Sequence, residues 1–183
     1  IGGALFEVHK SSGPKILFSV REPIIFEDRI EPDNFLTQTL KALDIVASKI
    51  CMKGVGRPFK IFCVLSSPWY ASEARFIKYE KNTIFTFTDK FADELIQKEI
   101  RLFEEETLNK FANSSDAIRP IEFKNIQTIL NGYPTPEPYN KKIKKVEMSV
   151  FISMSHESIL KKIEETLFRH FHNQNIKFST FAM

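Results

Sequence analysis

The chain has 183 residues, with 26 basic against 23 acidic side chains for a formal net charge of +3, and 43% of its residues are apolar. This length allows one domain, or one domain that carries a smaller inserted one, and the composition excludes a disordered or fibrous chain. The small charge surplus makes nucleic-acid binding through bulk charge a weak expectation. The longest apolar run, residues 61–65, is too short for a membrane-spanning helix.

The first third of the sequence predicts a β-hairpin, a helix and a strand. Two β-rich runs, residues 4–8 and 15–20, flank a turn-forming segment. Over residues 32–50, apolar side chains recur at steps of three and four, which predicts an amphipathic helix. Residues 59–65 are almost entirely apolar, which predicts a parallel strand that is covered on both faces.

The middle of the sequence predicts a strand-helix-strand-strand unit. A short strand is expected at 74–79, and Thr88 is a suitable N-cap for the long helix that follows. Two further strands are expected at 121–130 and 145–154. In the last of these, apolar and other side chains alternate with a period of two, which indicates that one face is buried.

The end of the sequence predicts a helix capped by Ser155 and a closing strand at 176–181. The strands on either side of the middle unit are expected to share a single sheet. The predicted fold class is therefore α/β for a frame of residues 1–65 and 155–183, interrupted by an α+β insert at residues 66–154.

This order of elements resembles the first lobe of the bacterial actin-fold proteins FtsA and PilM, an RNase H-like half-lobe with an inserted SHS2-type subdomain. Residues 1–8 (IGGALFEV) look like the end of the family's first phosphate loop, so its Asp-x-Gly-Ser/Thr motif would lie upstream. Residues 63–68 (CVLSSP) resemble the strand end where the family's insert departs. Residues 130–133 and 138–141 are similar to the family's strand and Asn-Pro-x-Gly loop, with Asn140 in place of the glycine.

The resemblance implies a cytoplasmic protein that works at the inner face of the membrane through partners, in cell division or type IV pilus assembly. It implies ATP and Mg²⁺ binding between two lobes of a full-length parent, with Gly2 and Gly3 nearest the phosphates; two glycines before a strand equally suit a tight bend. Because 183 residues leave no space for the second lobe, we expect neither catalysis nor a bound cofactor from this chain alone. The insert is expected to mediate contact with protein partners or self-association.

Two segments of the insert are candidate contact sites. Trp69 and Tyr70 follow a Ser-Ser-Pro break and suit either an interaction site or a packing anchor. The second segment is a basic cluster next to tyrosines, formed by Lys141, Lys142, Lys144 and Lys145. These lysines suit phosphates or anionic lipid, and a solvated loop entering an edge strand explains them as well. The alternative function is therefore a small α/β nucleic-acid-binding module that uses residues 141–145.

The remaining reactive side chains have structural interpretations. His170 and His172 lie two residues apart on a predicted helix and point in different directions, which argues against a metal pair. The carboxylates of residues 104–106 are expected to form a solvated helix face. Cys63 lies in an apolar run, where a thiolate is disfavoured, and is expected to be a small core residue. A third alternative, an RNase H-like hydrolase, needs carboxylates that residues 59–65 do not contain.

Overall fold

The protein has a mixed α+β fold. The structure is a computed structural model and describes residues 1–9, 12–25, 32–110 and 116–181. Within these residues the elements are, in chain order, β1 (Gly2–His9), β2 (Ser12–Arg21), α1 (Pro32–Cys51), β3 (Ile61–Leu65), β4 (Ala71–Phe87), α2 (Asp89–Lys110), β5 (Ile118–Leu130), β6 (Tyr133–Pro134), β7 (Lys141–His156), α3 (Glu157–Phe171) and β8 (Ile176–Thr180). The three helices occur where the sequence predicts them, and the mixed class is confirmed.

The chain divides into two compact units. The first unit consists of Ile1–Cys63 and Ile159–Lys177, and the second consists of Val64–Ser158 and Phe178–Met183. The second unit therefore contains the whole strand-helix-strand-strand segment, together with the last residues of the chain. Each unit is described separately below.

The first unit contains the predicted hairpin. Strands β1 and β2 pair antiparallel, with register shifts near Leu5 and His9, and the turn residues 10 and 11 lie outside the described part of the chain. Helix α1 packs on one face of this hairpin. On that face Gly3 lies so close to the helix that a Cβ atom would come within 2.5 Å of Val46 Cγ1 and 2.8 Å of Ile50 Cδ1. Glycine is therefore required here by helix packing.

Strands β3 and β8 form a second two-stranded sheet. The Ile61 amide donates to the Asn175 carbonyl and the Phe181 amide donates to the Leu65 carbonyl, so the two strands run in the same direction. The prediction of one sheet for the whole frame is wrong within the described residues, because β1 and β2 pair only with each other. The prediction that β3 is covered on both faces is also wrong: Phe62 is 52% exposed.

The second unit is built on a four-stranded antiparallel sheet in the order β4-β7-β5-β6. Its strands are longer than the sequence indicates: β4 has 17 residues and β7 has 16. The predicted strand at 74–79 is therefore only the middle of β4. A two-residue hairpin turn, Asn131-Gly132, joins β5 to β6, and both residues have positive φ, at 49° and 89°. This pair of residues is typical of a type I′ turn.

Helix α2 covers one face of this sheet. The Phe91 amide donates to Thr88 Oγ1 at 3.2 Å, which confirms the predicted N-cap. Alternate residues of β7 line the buried face, which confirms the period of two: Val146, Met148, Val150, Ile152 and Met154. From the helix, Ile96, Ile100 and Phe103 complete this core.

Ser155 does not cap helix α3. It lies in strand β7, and its Oγ donates to the carbonyl of Trp69 at 2.6 Å. The helix begins two residues later, and the amide of Ser158 donates to Asp116 Oδ1 at 3.3 Å. A carboxylate distant in sequence therefore satisfies an amide of the first helical turn, which is favourable for both hydrogen bonding and the helix dipole.

Candidate interaction site

The two candidate phosphate-contacting residues, Gly2 and Gly3, lie inside strand β1 and not in a bend before it. Gly2 is exposed, and a Cβ atom there would meet only Arg21 Cγ, at the ordinary contact distance of 3.8 Å. Gly3 is half-buried under α1, as described above. The packing of α1 accounts for the glycine at position 3, and phosphate binding by either residue stays a prediction.

Trp69 and Tyr70 are both half-buried in the segment that leads into β4. The Trp69 amide donates to the Ser66 carbonyl at 3.0 Å, and the Trp69 carbonyl accepts from Ser155 Oγ. The preceding Ser67-Pro68 peptide bond is cis. The backbone of Trp69 is thus tied to the end of β7, and the two interpretations of its side chain both stay predictions.

The basic cluster lies in a different setting from the one predicted. Residues 141–145 begin strand β7 and do not form a loop; they pair with β4, whereas the pairing of β7 with β5 begins only at Val146. Lys141 pairs with Phe87, and Lys145 pairs with Glu80. Lys145 Nζ also lies 2.9 Å from Glu147 Oε1. A carboxylate therefore neutralises one of the four lysines.

An asparagine shapes the backbone of this basic segment. Asn131 Oδ1 accepts hydrogen bonds from the amides of both Lys144 and Lys145, at 3.0 and 3.1 Å. Two successive amides that point to one acceptor mark a bulge, and the buried positions step by three residues there, from Ile143 to Val146. Lys142 and Lys144 therefore project on the side opposite Ile143, while Lys141 does not. The lysines do not form one continuous surface.

Tyr139 is the aromatic residue nearest to the basic cluster in the sequence, and it packs beside the start of α2. Its ring stacks on Phe87 with a centroid distance of 5.9 Å. Partial burial, followed by the carboxylates of Asp89 and Asp93, raises the pKa of Tyr139. The other tyrosine, Tyr133, is 75% exposed in β6. The two tyrosines are thus placed differently, and only Tyr139 contributes to packing.

The sequence interpretation missed an ion-pair cluster that joins α2 to β4. Arg75 Nε donates to Glu99 Oε1 at 2.8 Å, and the two terminal nitrogens of Arg75 donate to Glu106 at 2.8 and 2.9 Å. The guanidinium group also lies 5.6 Å from the ring centroid of Phe103. Glu106 is exposed, as the expectation of a solvated acidic run at 104–106 requires, and it also forms this ion pair. The two glutamates are seven residues apart, which is two helical turns and places them on the same face of α2. This spacing is the sequence signal that indicates the ion-pair cluster.

The sequence interpretation also missed the exposed apolar residues on the face of the sheet opposite α2. Phe76 pairs with Ser149 on this face and is 80% exposed. Next to it, Lys78 pairs with Glu147. An exposed aromatic side chain on a sheet face suits a contact with another molecule. No pattern in the sequence distinguishes Phe76 from phenylalanines that are buried, such as Phe87 and Phe103.

The histidines and cysteines behave as structural residues. His170 Nε2 lies 2.9 Å from Asp44 Oδ1, which links α3 to α1. Among the described residues, no group of three or more His, Cys, Asp or Glu side chains is arranged to hold a metal ion. Cys63 is half-buried and is not among the buried core residues, and burial raises the pKa of its thiol to about 12, which disfavours the thiolate. Cys51 is exposed.

No protein-family model matches this chain, and no curated protein matches it. In the described part of the chain, no helix is both long and apolar enough to cross a membrane. The features that bear on function are therefore the fold and two parts of the second unit, the basic cluster and the sheet face that carries Phe76.

Proposed function

We propose that this chain is part of an FtsA/PilM-like actin-fold protein. In this proposal the frame is an incomplete, RNase H-like nucleotide lobe, and the strand-helix-strand-strand unit is a protein-interaction module. Its partners are other proteins or further copies of itself, in the machinery of cell division or type IV pilus assembly. The protein then works in the cytoplasm, at the inner face of the membrane, and reaches that membrane through its partners.

One observation carries this proposal, namely the path of the chain between two paired strands. The chain leaves β3 at Leu65, forms β4, α2, β5 and β7, and returns through α3 to β8, which pairs parallel with β3. Parallel neighbours normally require only a helical crossover. Helix α3 alone is sufficient to connect β3 to β8, yet the connection also contains a complete unit of sheet and helix. This organisation is expected for an SHS2-type insert.

The nucleic-acid alternative has weaker support. Binding to a phosphate backbone requires several cations on one surface. Here the segment 141–145 is split by a bulge, and Lys145 is neutralised by Glu147. A salt titration with single-stranded RNA tests the alternative: we expect no binding at moderate salt, and tight binding that weakens steeply with salt would favour it.

The proposal is tested on the complete product of the open reading frame that encodes this chain. We expect its sequence to place an Asp-x-Gly-Ser/Thr motif upstream of Ile1 and glycine-rich loops downstream of Met183. We also expect it to bind a fluorescent ATP analogue in the presence of Mg²⁺, whereas the 183-residue chain does not. A product that lacks these motifs and does not bind the nucleotide would overturn the proposal.

A further inference from the structure

Strand β4 forms a long free edge of the large sheet. Its first ten residues, 71–80, pair with β7 in unbroken register, from Ala71 opposite Met154 to Glu80 opposite Lys145. On the other side of β4, no strand of the described residues pairs with it. The outer edge of a strand carries unpaired amide and carbonyl groups that can pair with a strand of another molecule.

The opposite edge of the same sheet is interrupted. Strand β5 has register shifts after Pro120 and after Asn125, and Pro120 has no amide hydrogen to donate. Strand β6 covers only its last two residues and contributes Pro134. These are the devices by which proteins prevent strand addition. In β4, the register is disturbed only after Glu80, so ten residues remain without such protection.

An exposed phenyl ring lies near the middle of this free edge. Phe76 is the sixth of the ten residues, and it is 80% exposed on the face opposite α2. A partner strand added to the edge covers part of this ring, because residues directly across an antiparallel pair lie about 5 Å apart. The edge therefore offers both backbone hydrogen bonds and apolar contact.

The charges along β4 fit a second copy of the same strand. When two identical antiparallel strands are related by a two-fold axis, even-numbered residues face even-numbered ones and odd-numbered residues face odd-numbered ones. One residue therefore faces its own copy across the axis. Placing Arg75 or Lys78 on the axis sets two like charges opposite each other. With Ile77 on the axis, Phe76 faces Lys78, and Glu73 faces Lys81, the first residue after the unbroken register, each twice by symmetry.

With Phe76 on the axis, the two phenyl rings meet, but no opposite charges face each other. With Ala74 on the axis Glu73 faces Arg75, and with Tyr79 on the axis Lys78 faces Glu80, but in neither register does Phe76 face a cation. The Ile77 register is therefore the best match, since it alone combines facing opposite charges with cation–π contacts. We propose that the chain forms a symmetric homodimer through β4, in which the two sheets join into one and Ile77 lies on the two-fold axis. This inference rests on the proposed function, because it takes the insert as the interaction module and names a second copy as its partner.

The dimer is tested by sedimentation velocity of the 183-residue chain over a concentration series. We expect a reversible dimer, and we expect Phe76→Lys to weaken it at least tenfold, because the new ammonium group faces Lys78 of the other copy, twice by symmetry. The matched control is Ile126→Lys, which introduces the same side chain at a 57% exposed apolar position of β5. It should dimerise like the wild type. Circular dichroism of each variant shows whether it is folded.

A mixing experiment tests the register. Glu73→Lys and Lys81→Glu should each weaken the dimer, since each sets like charges opposite one another. An equimolar mixture of the two variants should restore it, because both facing pairs then have opposite charges. A wild-type chain that stays monomeric overturns the inference, and so does a dimer that tolerates Phe76→Lys or a mixture that shows no recovery. Nucleotide binding by the complete gene product is measured separately, so failure of the dimer and failure of the proposed function are distinguishable.

Discussion

Strands β3 and β7 show how differently two apolar segments of one chain are buried. Strand β3, with the sequence IFCVL, is entirely apolar, yet Phe62 and Val64 are 52% and 56% exposed. Strand β7 alternates apolar with polar residues, yet Val150 and Ile152 are completely buried. The more hydrophobic strand is thus the more exposed one.

The difference teaches that the neighbours of a strand, and not its own hydrophobicity, decide its burial. Strand β7 has a strand on each side and α2 across one face. Strand β3 has one described strand neighbour, β8. Two-stranded ribbons have marginal stability, whereas a sheet of three or more strands under a helix is stable. We therefore expect the sheet of the second unit to be the more resistant to local unfolding.

The largest effect is expected from shortening a buried side chain of β7. Ile152→Ala should destabilise the second unit by about 3 kcal/mol, because it leaves a cavity in a closely packed core. The matched change in the exposed strand, Phe62→Ala, should cost less than about 0.5 kcal/mol. Hydrogen exchange followed by mass spectrometry measures each unit separately. Equal costs at the two sites would contradict the comparison.

A smaller effect is expected when the ion-pair cluster between α2 and β4 is removed. Arg75→Ala leaves Glu99, whose side chain is 16% exposed, without its cationic partner, and we expect a loss of about 2 kcal/mol. Glu73→Ala is the control, because Glu73 is more exposed and lies 3.3 Å from Arg75. Chemical denaturation monitored by the protection of α2 measures the loss. A variant as stable as the wild type would show that the cluster does not hold the helix on the sheet.

In the first unit, the close packing of α1 on β1 is tested at Gly3. Gly3→Ala should destabilise the hairpin by between about 1 and 2 kcal/mol, because the added methyl group overlaps Val46 and Ile50. Gly2→Ala should have little effect, and Val46→Ala should relieve part of the cost of Gly3→Ala. Hydrogen exchange of residues 2–9 measures the three variants. The same cost at both glycines would show that helix packing is not the reason for Gly3.

The smallest effect concerns the two thiols. At pH 8, Cys51 should react with a disulfide reagent in the folded protein, whereas Cys63 should react only after unfolding. Burial raises the pKa of Cys63 to about 12. The folded state therefore retains the thiol proton more strongly than the unfolded state. The contribution of this thiol to the free energy of unfolding is fully present below the ordinary thiol pKa and decreases as the pH rises towards 12. Two equally fast thiols in the folded chain would contradict this prediction.

Much of the secondary structure follows from local patterns in the sequence. The three helices, the Thr88 cap and the alternation in β7 follow from local periodicity and side-chain chemistry, and the structure confirms them. The cap predicted at Ser155 is wrong because β7 continues through that residue and Asp116, 42 positions away from Ser158, binds the first turn of α3. A partner so distant in sequence leaves no local signal.

The candidate site was less accessible to prediction from the sequence. The basic cluster follows from the sequence, but its place in a strand that pairs there with β4 depends on the order β4-β7-β5. The exposed edge of β4 and the exposure of Phe76 depend on the same order. The FtsA/PilM kinship, the residues nearest a phosphate and the interaction role stay proposals that the experiments above test.

The sequence by itself determined the helices, most of the strands and the mixed α+β class, because backbone hydrogen bonding and amphipathic periodicity act over a few neighbouring residues. Tertiary structure alone decided which strands are central and which are edges, which apolar face is covered, and which carboxylates meet Arg75. These features depend on pairing between residues far apart in the chain, and the free energy of such pairing depends on all the neighbours that are brought together.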